Sequence, residues 1–322
     1  TLTDNMMNVL YIDYGNVVSD SYLYRYYGDF YRELKKVANV SLYQNVVYNI
    51  NDVLSNFENI DCIIFGMGYF SRLGKEAYFK IEGLDTLKIP VACYLHKPQK
   101  MLEEKLNFCK INNIDLLLDS QSTHIKHSEI AETKSYRAWF TATPEIYHPR
   151  DNISVDYDLG FIGATHGNNK VSGETMNIRD RMYDLLMGSK YNVYWKKHFG
   201  PGDRISIEDY ASQINKCKIW LATTGPTLDV SPRYFEVMLS KTLLVCNDMP
   251  DEYGGVFEDG VNCVMFKNDL SDLVDKIDYY LNNDKERNLI IDRAYEMVIN
   301  NYTWKHMALN VLSKIEEIKN EL

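Results

Sequence analysis

Residues 223–236 combine three features that can bind an anion: the end of a predicted strand, a loop rich in Thr, Gly and Pro, and the start of a helix. Ser231 and Pro232 are residue types preferred at a helix N-cap and at the first helical position, so they mark where the helix begins. A helix that begins where a parallel strand ends presents free backbone N–H groups and the positive end of its dipole. This arrangement predicts a phosphate-binding site.

Arg233 and Glu236 lie near the start of this predicted helix. An arginine side chain binds two phosphate oxygens at once through its planar fork. Glu236 follows Arg233 by three residues, so it lies on the same helix face, about 5 Å further along the axis. That separation resembles the step from a diphosphate to its ribose, whose hydroxyls a carboxylate can bind. The alternative is an exposed ion pair between the two side chains, on a helix whose apolar residues make ordinary core contacts.

Two residues of the N-terminal half are candidates for a catalytic base. His96 closes the predicted strand 91–95, and Asp13 ends the predicted strand 8–13. Parallel strands deliver the residues at their carboxyl ends to the crevice where substrates bind. A histidine there can act as a general base or contact a sugar, and the alternative is a loop histidine without a role. His124 and His127 have HxxH spacing but no third metal ligand, so we expect both to face solvent.

Two short motifs point less clearly to chemistry. Asp156 and Asp158 match the DxD pattern of metal-dependent transferases, but they precede a predicted strand instead of ending one, so we interpret them as a charged strand entry. Gly66 and Gly68 follow a predicted strand and supply two glycines of a dinucleotide-binding fingerprint, whose third glycine is missing. We therefore predict neither a metal site nor binding of NAD.

The elements that would position these residues alternate along the chain. Short β-rich runs follow amphipathic helical runs from end to end, which is typical of α/β layers around a parallel sheet. The pattern breaks over residues 144–156, where Pro, His, Arg, Asp and Asn follow each other without periodicity, and a second series then begins. We therefore expect an α/β fold with two Rossmann-like domains that face each other across a cleft.

Composition limits the function classes. The chain has 322 residues, a net charge of −10 and six cysteines, and this length suggests two domains at roughly 100 to 200 residues each. The acidic balance argues against nucleic-acid binding, because phosphate contacts need a basic surface.

No cysteine belongs to a CxxC pair, so we expect the cysteines to be small core residues of a protein in a reducing compartment. The apolar runs are too short for a transmembrane segment and no signal-peptide pattern is present, which predicts a cytoplasmic location.

Residues 156–307 carry a series of motifs whose order resembles the nucleotide-sugar domain of GT-B glycosyltransferases. The resemblance is specifically to the CgeB-like branch of the "glycosyl transferases group 1" family. The matching motifs are Tyr157-Asp-Leu-Gly-Phe-Ile-Gly163, Gly200-Pro201 before Ser206-Ile-Glu-Asp-Tyr210, Asn215-Lys-Cys-Lys-Ile-Trp220, Ser231-Pro-Arg-Tyr-Phe-Glu-Val-Met-Leu-Ser-Lys-Thr-Leu-Leu-Val245, Phe257-Glu-Asp-Gly-Val-Asn262 and Tyr302-Thr-Trp-Lys305. The N-terminal half resembles the family only loosely.

The resemblance implies a set of donor-binding residues. Glu236 takes the position of the glutamate that holds the nucleotide ribose, and the loop with Arg204 and Ile205 would meet the base. The residues that the resemblance places around the diphosphate, at the glycine turns and the helix start, are Gly163, Ala164, Thr165, Gly225, Thr227 and Arg233. Tyr234 is a further predicted donor-binding residue. Many retaining GT-B enzymes carry a second glutamate about two helical turns earlier, where this chain has Leu228 and Asp229. Asp229 is the candidate substitute, and the stereochemistry of transfer stays open.

The implied function is transfer of a hexosyl or deoxyhexosyl group from a UDP-, GDP- or dTDP-sugar to a hydroxyl of a glycan or glycoconjugate. The implied organisation is an acceptor domain over residues 1–150, a nucleotide-sugar domain over 151–303, and a helix over 304–322 that crosses back to the first domain. No metal and no obligatory cofactor is expected, because Arg233 and the helix dipole can stabilise the leaving diphosphate. Two alternatives remain: a GT-B protein that binds a nucleotide sugar or glycan without transferring it, and a hydrolase or epimerase on the same fold.

Overall fold

The structure is a computed structural model that describes residues 5–14, 17, 25–73, 78–164, 174–197 and 205–322. The chain forms two compact units. The first unit contains the described residues up to Trp139 together with Trp304–Leu322, and the second contains Phe140–Thr303. The functional division that the resemblance implies, at residues 150 and 303, stays a prediction.

The first unit is built on a parallel sheet. Its described strands, in spatial order, are β2 (Asn39–Tyr43), β1 (Asn8–Ile12), β3 (Cys62–Phe65), β4 (Val91–Tyr94), β5 (Leu116–Leu118) and β6 (Lys134–Tyr136). All of the recorded strand pairs are parallel, and Ile12 lies opposite both Tyr43 and Phe65. Strands β1, β3 and β4 are almost entirely buried, as apolar runs covered by helices on both faces should be.

Helices cover the sheet of the first unit. Those described are α1 (Arg25–Val37), α2 (Ile50–Leu54), α3 (Gly68–Leu73), α4 (Leu102–Ile111), α5 (His124–Ala131) and α11 (Trp304–Glu321). The last helix, α11, packs along α1, and its fully buried Trp304 lies 6.1 Å from Phe30 between ring centroids. A salt bridge of 2.8 Å joins Lys319 of α11 to Asp61, just before β3.

The second unit has its own parallel sheet. Its described strands, in spatial order, are β11 (Val264–Phe266), β10 (Leu243–Asn247), β9 (Cys217–Ala222), β7 (Tyr157–Gly163) and β8 (Val193–Lys197). The order is not that of the sequence: β7 lies between β8 and β9, and Leu159 is opposite both Val193 and Ile219. The carboxyl ends of β7 and β9 are therefore neighbours.

The described helices of the second unit are α6 (Glu174–Leu186), α7 (Ile207–Asn215), α8 (Pro232–Leu239), α9 (Leu273–Asn282) and α10 (Asp284–Asn301). Ser206 caps α7 as its spacing to Asp209 predicts, since its Oγ accepts a hydrogen bond of 3.0 Å from the Asp209 N–H. Gly188 follows α6 with φ 79°, a left-handed conformation that suits glycine after a helix.

The fold class predicted from the sequence is confirmed: both units are α/β with parallel sheets. The cysteines are also core residues, since all six are buried and free: Cys62, Cys93, Cys109, Cys217, Cys246 and Cys263. In the part of the chain that the structure describes, no helix is both long enough and apolar enough to cross a membrane.

Candidate functional site

The loop after β9 is fixed by hydrogen bonds to the neighbouring strand. Thr224 is buried, and its N–H donates to Asn247 Oδ1 at 2.9 Å. The Asn247 amide donates in turn to Thr224 Oγ1 at 3.1 Å. Since Asn247 ends β10, these two bonds tie together the carboxyl ends of two adjacent strands. The chain thus leaves β9 in a defined direction.

Asp229 organises the loop that follows. Its backbone carbonyl accepts a hydrogen bond of 2.8 Å from the Gly225 N–H, and its Oδ1 accepts one of 3.0 Å from Thr227 Oγ1. A Cβ atom at Gly225 would lie 2.3 Å from the same Oδ1, so only glycine fits there. Leu228, between them, has φ 59°. The Asp229 carboxylate is therefore used within the loop.

Helix α8 begins where the sequence predicts. Ser231 is the N-cap with extended backbone (φ −85°, ψ 165°), and Pro232 occupies the first helical position. The Ser231 side chain makes no capping hydrogen bond within the described residues, unlike the Ser206 side chain at α7. The start of α8 is thus set by backbone conformation and by the fixed φ of proline.

Two arginines converge on one aromatic ring at the carboxyl ends of β7 and β9. The guanidinium carbons of Arg179 and Arg233 lie 5.7 and 5.9 Å from the centroid of the Phe161 ring. Arg179 Nε donates to Thr223 Oγ1 at 2.7 Å, and its Nη1 donates to the Ala164 carbonyl at 3.3 Å. Burial, and next the nearby charge of Arg233, lower the pKa of Arg179 to about 10. Two like charges held this close favour an anionic ligand.

Gly163 makes this arrangement possible. A Cβ atom at Gly163 would lie 2.8 Å from Phe161 Cζ and 3.3 Å from Arg179 Nη1. The glycine turn that the sequence singles out is therefore needed so that the ring and the guanidinium group can pack against the end of β7.

Sequence reasoning missed Arg179. The sequence feature that could have indicated it is its position as a basic residue on the helix that follows the Gly163 turn. The periodic pattern of that helix marks only its apolar neighbours, among them Ile178 and Met182, as core residues.

Two further predicted donor residues lie on α8. Glu236 is only 8% exposed, which does not fit the alternative of an exposed ion pair with Arg233. Tyr234 is fully buried and packs edge-on against Phe257, with ring centroids 5.6 Å apart. Burial raises the pKa of Tyr234 well above its ordinary value. Ile205 is half-buried immediately before the N-cap of α7, whereas Thr165 and Arg204 lie outside the described residues.

In the first unit, Asp13 is a fully buried carboxylate at the end of β1. It accepts hydrogen bonds from the Tyr14 N–H (2.6 Å to Oδ1) and the Gly68 N–H (3.2 Å to Oδ2). Cβ atoms at Gly66 and Gly68 would lie 2.3 and 2.1 Å from its two oxygens. The paired glycines that resemble part of a dinucleotide fingerprint therefore serve to make room for this carboxylate.

The environment of Asp13 suits a proton acceptor. Burial raises its pKa to about 7, although the two backbone N–H groups oppose that shift by stabilising the charged form. A carboxyl group that titrates near neutral pH can take up a proton during a reaction and release it again.

His96, at the end of β4, is also buried, and its ring lies edge-on to that of Tyr27 at 4.9 Å. Burial, reinforced by the positive charges of nearby lysines, holds the pKa of His96 well below its usual range, so the imidazole is neutral at pH 7. Lys105 fixes the loop that carries it: its buried ammonium donates to the carbonyls of His96 (2.6 Å) and Lys97 (2.9 Å). Burial lowers the pKa of Lys105 to about 8.

The expectation that His127 faces solvent is wrong. Its side chain is buried because Nδ1 is hydrogen-bonded to Asp119 Oδ2 at 2.7 Å, and Nε2 lies 3.0 Å from Thr123 Oγ1. Asp119 is itself fully buried after β5, so it draws the ring toward the sheet. His124 is half-buried and lies 3.0 Å from Arg137 Nη2. Among the described residues, no group of three or more His, Cys, Asp or Glu residues is arranged to hold a metal ion.

Comparison with solved structures shows which fold this is. The chain superposes on sucrose-phosphate synthase from Thermosynechococcus elongatus with a TM-score of 0.67 at 9% identity, covering 98% of this chain and 100% of that one. Anabaena HepE in complex with UDP gives a TM-score of 0.61 at 12% identity, with 97% and 100% covered. A glycosyltransferase from Rickettsia africae gives 0.60 at 11% identity, with 98% and 99% covered.

The sequence comparisons cover a smaller part of the chain than the structural ones. A search of curated proteins finds no match. Residues 173–313 match the family described as "Glycosyl transferase-like", and this segment contains Arg179, α8 with Arg233 and Glu236, and the start of α11. The two comparisons point the same way: the chain has the GT-B fold of these glycosyltransferase structures, and its residues 173–313 match the glycosyl transferase-like family.

Proposed function

We propose that the chain transfers a sugar from a nucleotide-diphosphate donor, bound in the second unit, to a hydroxyl of a glycan or glycoconjugate acceptor. The observation that carries the proposal is the convergence of Arg179 and Arg233 on the ring of Phe161. Like charges in a half-buried site repel each other, and a diphosphate offsets that cost by pairing with both guanidinium groups. The start of α8 adds backbone N–H groups and the positive end of its dipole.

The remaining donor residues follow from this placement. The diphosphate would lie by the Gly163 and Gly225 turns, with Ala164 and Thr227 beside it. Glu236 lies one helical turn beyond Arg233 and would accept the ribose hydroxyls. HepE structures described as complexes with UDP and with UDP-glucose support a UDP-sugar as the donor class to test first.

The two arginines would also contribute to catalysis. Negative charge grows on the diphosphate as the bond to the sugar breaks, and cations already held in place stabilise that charge without reorganising. In this proposal the leaving group departs without an obligatory metal ion. The charge of Arg179 persists at neutral pH, since its lowered pKa is still about 10.

Asp13 and His96 are the proposed bases on the acceptor side. Asp13, with a pKa near 7, would accept the proton of the acceptor hydroxyl, and neutral His96 would contact the sugar or share that role. The free, buried thiols fit a reducing compartment, so we propose that the chain acts in the cytoplasm.

Release of free nucleotide tests the proposal. Incubation with UDP-, GDP- and dTDP-glucose, with and without candidate acceptors, should yield free nucleotide from one donor class. Arg179→Gln should reduce the rate about 100-fold, the usual range for removing one group that stabilises transition-state charge. Arg181→Gln is the matched control, because this arginine lies two positions further on the same helix, is exposed, and bonds, among the described residues, to the carbonyls of Asn268 and Asp269.

Two results would contradict the proposal. The first is tight nucleotide-sugar binding without release under all of these conditions, which would favour a protein that only binds. The second is an equal loss of rate in the Arg179 and Arg181 variants, because the charge pair at Phe161 would then have no special role.

A further inference from the structure

A cavity of about 240 Å³ lies in the second unit at the amino-terminal end of its strands. Its lining includes Lys218 at the start of β9, Thr242 just before β10, and Lys241 after the end of α8. The candidate donor site lies at the other end of the same elements, beyond the end of β9 and at the start of α8. Helix α8 alone, with its eight residues, separates the two ends by about 12 Å.

The lining of this cavity is basic, although the whole chain carries a net charge of −10. Four cationic side chains line it, namely Arg150, Lys218, Lys241 and Arg287, whereas Asp151 is the single carboxylate of the described lining. The charge of the lining residues themselves is therefore opposite in sign to that of the whole chain, which favours an anionic ligand.

The two arginines of the lining have largely buried side chains. The Arg150 side chain is 8% exposed, and it is held by Asn215 Oδ1 (2.9 Å) and the Ile146 carbonyl (2.8 Å). The Arg287 side chain is 10% exposed, and its Nη1 donates to the Tyr280 carbonyl at 2.6 Å. These bonds orient each guanidinium group through neutral acceptors and do not cancel its charge.

The acidic partners of the cations lie outside the cavity lining. Glu208 pairs with Arg150 at 3.4 Å and Asp284 with Arg287 at 2.8 Å, and their side chains are 70% and 75% exposed. Because the acidic side chain of each pair is exposed, water screens its attraction to the arginine, so an incoming anion can compete with it. Lys241 lies 3.6 Å from Asp292, and Lys218 forms no ion pair with any described residue.

We propose that this cavity binds a small phosphorylated molecule of about the size of a sugar phosphate. Arginine forks and lysine ammonium groups are the side chains that recognise phosphate. The volume is below the ~300–1,000 Å³ of sites for drug-sized ligands, which fits a small occupant. The Ser240 and Thr242 hydroxyls in the lining donate to the carbonyls of Glu236 and Ile214, so their oxygens can still accept from sugar hydroxyls, and Asn288 is exposed. The site is independent of the donor site and of the proposed transfer reaction.

Isothermal titration calorimetry with ribose 5-phosphate and with inorganic phosphate tests the proposal on the full chain. Ribose 5-phosphate should bind more tightly than phosphate, because only the sugar reaches the polar lining. Arg287→Lys keeps the charge but loses the fork, and Lys218→Gln removes one cation, so each should weaken binding about five- to tenfold. Asp151→Asn should tighten it, because it removes the carboxylate that repels the anion.

Lys285→Gln is the matched control, since Lys285 is exposed on the same helix as Arg287 but does not line the cavity. It should leave the affinity unchanged. The proposal fails if neither compound binds, if Lys285→Gln weakens binding as much as Lys218→Gln, or if Arg233→Gln abolishes binding. The last result would assign the anion to the donor site.

Discussion

At the scale of single residues, the buried Asp13 carboxylate destabilises the folded protein when it is ionised, and it is also able to accept a proton. Two glycines leave it room, two backbone N–H groups hold its oxygens, and its side chain is fully buried. An ionised carboxylate in such a place is destabilising unless its partners compensate fully. The pKa of about 7 shows that here they compensate only in part.

Asp13→Asn should change the pH dependence of both stability and activity. The folded-state pKa of about 7 is above the ordinary 3.8, so the stability that Asp13 contributes is complete below the unfolded pKa and is lost as pH rises through about 7. The Asn variant should therefore gain stability relative to the wild type at about pH 8, and this gain should vanish near pH 4. Urea unfolding at several pH values measures it.

The expected pH dependence of activity is opposite to that of stability. If Asp13 is the base, kcat/KM of the wild type should fall as pH drops through about 7, since the protonated carboxyl accepts no proton. The Asn variant should lack most activity at every pH. A fully active variant, or a stability gain that does not depend on pH, would contradict the role of Asp13.

At the scale of elements, two helices begin with a serine N-cap for different reasons. The Ser206 Oγ accepts a hydrogen bond from the backbone of α7, whereas Ser231 makes no side-chain capping bond within the described residues and is followed by proline. The two serines thus allow a direct comparison of capping by a side chain with capping by backbone conformation.

Ser206→Ala should lower the free energy of unfolding by about 1 kcal/mol, because the Asp209 N–H loses its acceptor. Ser231→Ala should change it by less than about half of that, since no such bond is lost. Chemical denaturation measures both. Equal losses in the two variants would show that Ser231 caps α8 after all.

The sequence predicts the ends of helices correctly where they depend on residues close to each other in the chain. The start of α8, the cap of α7 and the end of α6 depend on neighbouring residues, and each is found where Ser231, Ser206 and Gly188 indicate. The pairing of Arg179 with Arg233 was not predictable in this way, because it depends on β7 lying beside β9. Likewise, nothing near His127 in the sequence indicates that Asp119 will draw it into the core.

At the scale of the whole molecule, the chain leaves the first unit after Trp139 and returns to it at Trp304. The return is anchored by burial: Trp304 is fully buried and packs near Phe30 of α1. The stability of the first unit thus depends on residues at both ends of the described chain.

Trp304→Ala should therefore destabilise the first unit by about 3–5 kcal/mol, the usual cost of removing a buried aromatic side chain. Leu309→Ala is the control on the same helix, because Leu309 is 42% exposed. Proteolysis should cleave the Trp304 variant faster within residues 25–139 while it spares residues 205–303. Equally fast cleavage of both regions would show that the two units do not unfold separately.

The insertion of the second unit into the sequence of the first has a consequence for biosynthesis. Every residue of Phe140–Thr303 is translated before α11, so the second unit can complete its sheet while the first still lacks the helix that packs along α1. Domains fold as units during synthesis, generally in the order in which they emerge. Of the two units, the first begins synthesis earlier but receives its last helix only after all of Phe140–Thr303 has been made. We therefore expect the second unit to complete its fold before the first.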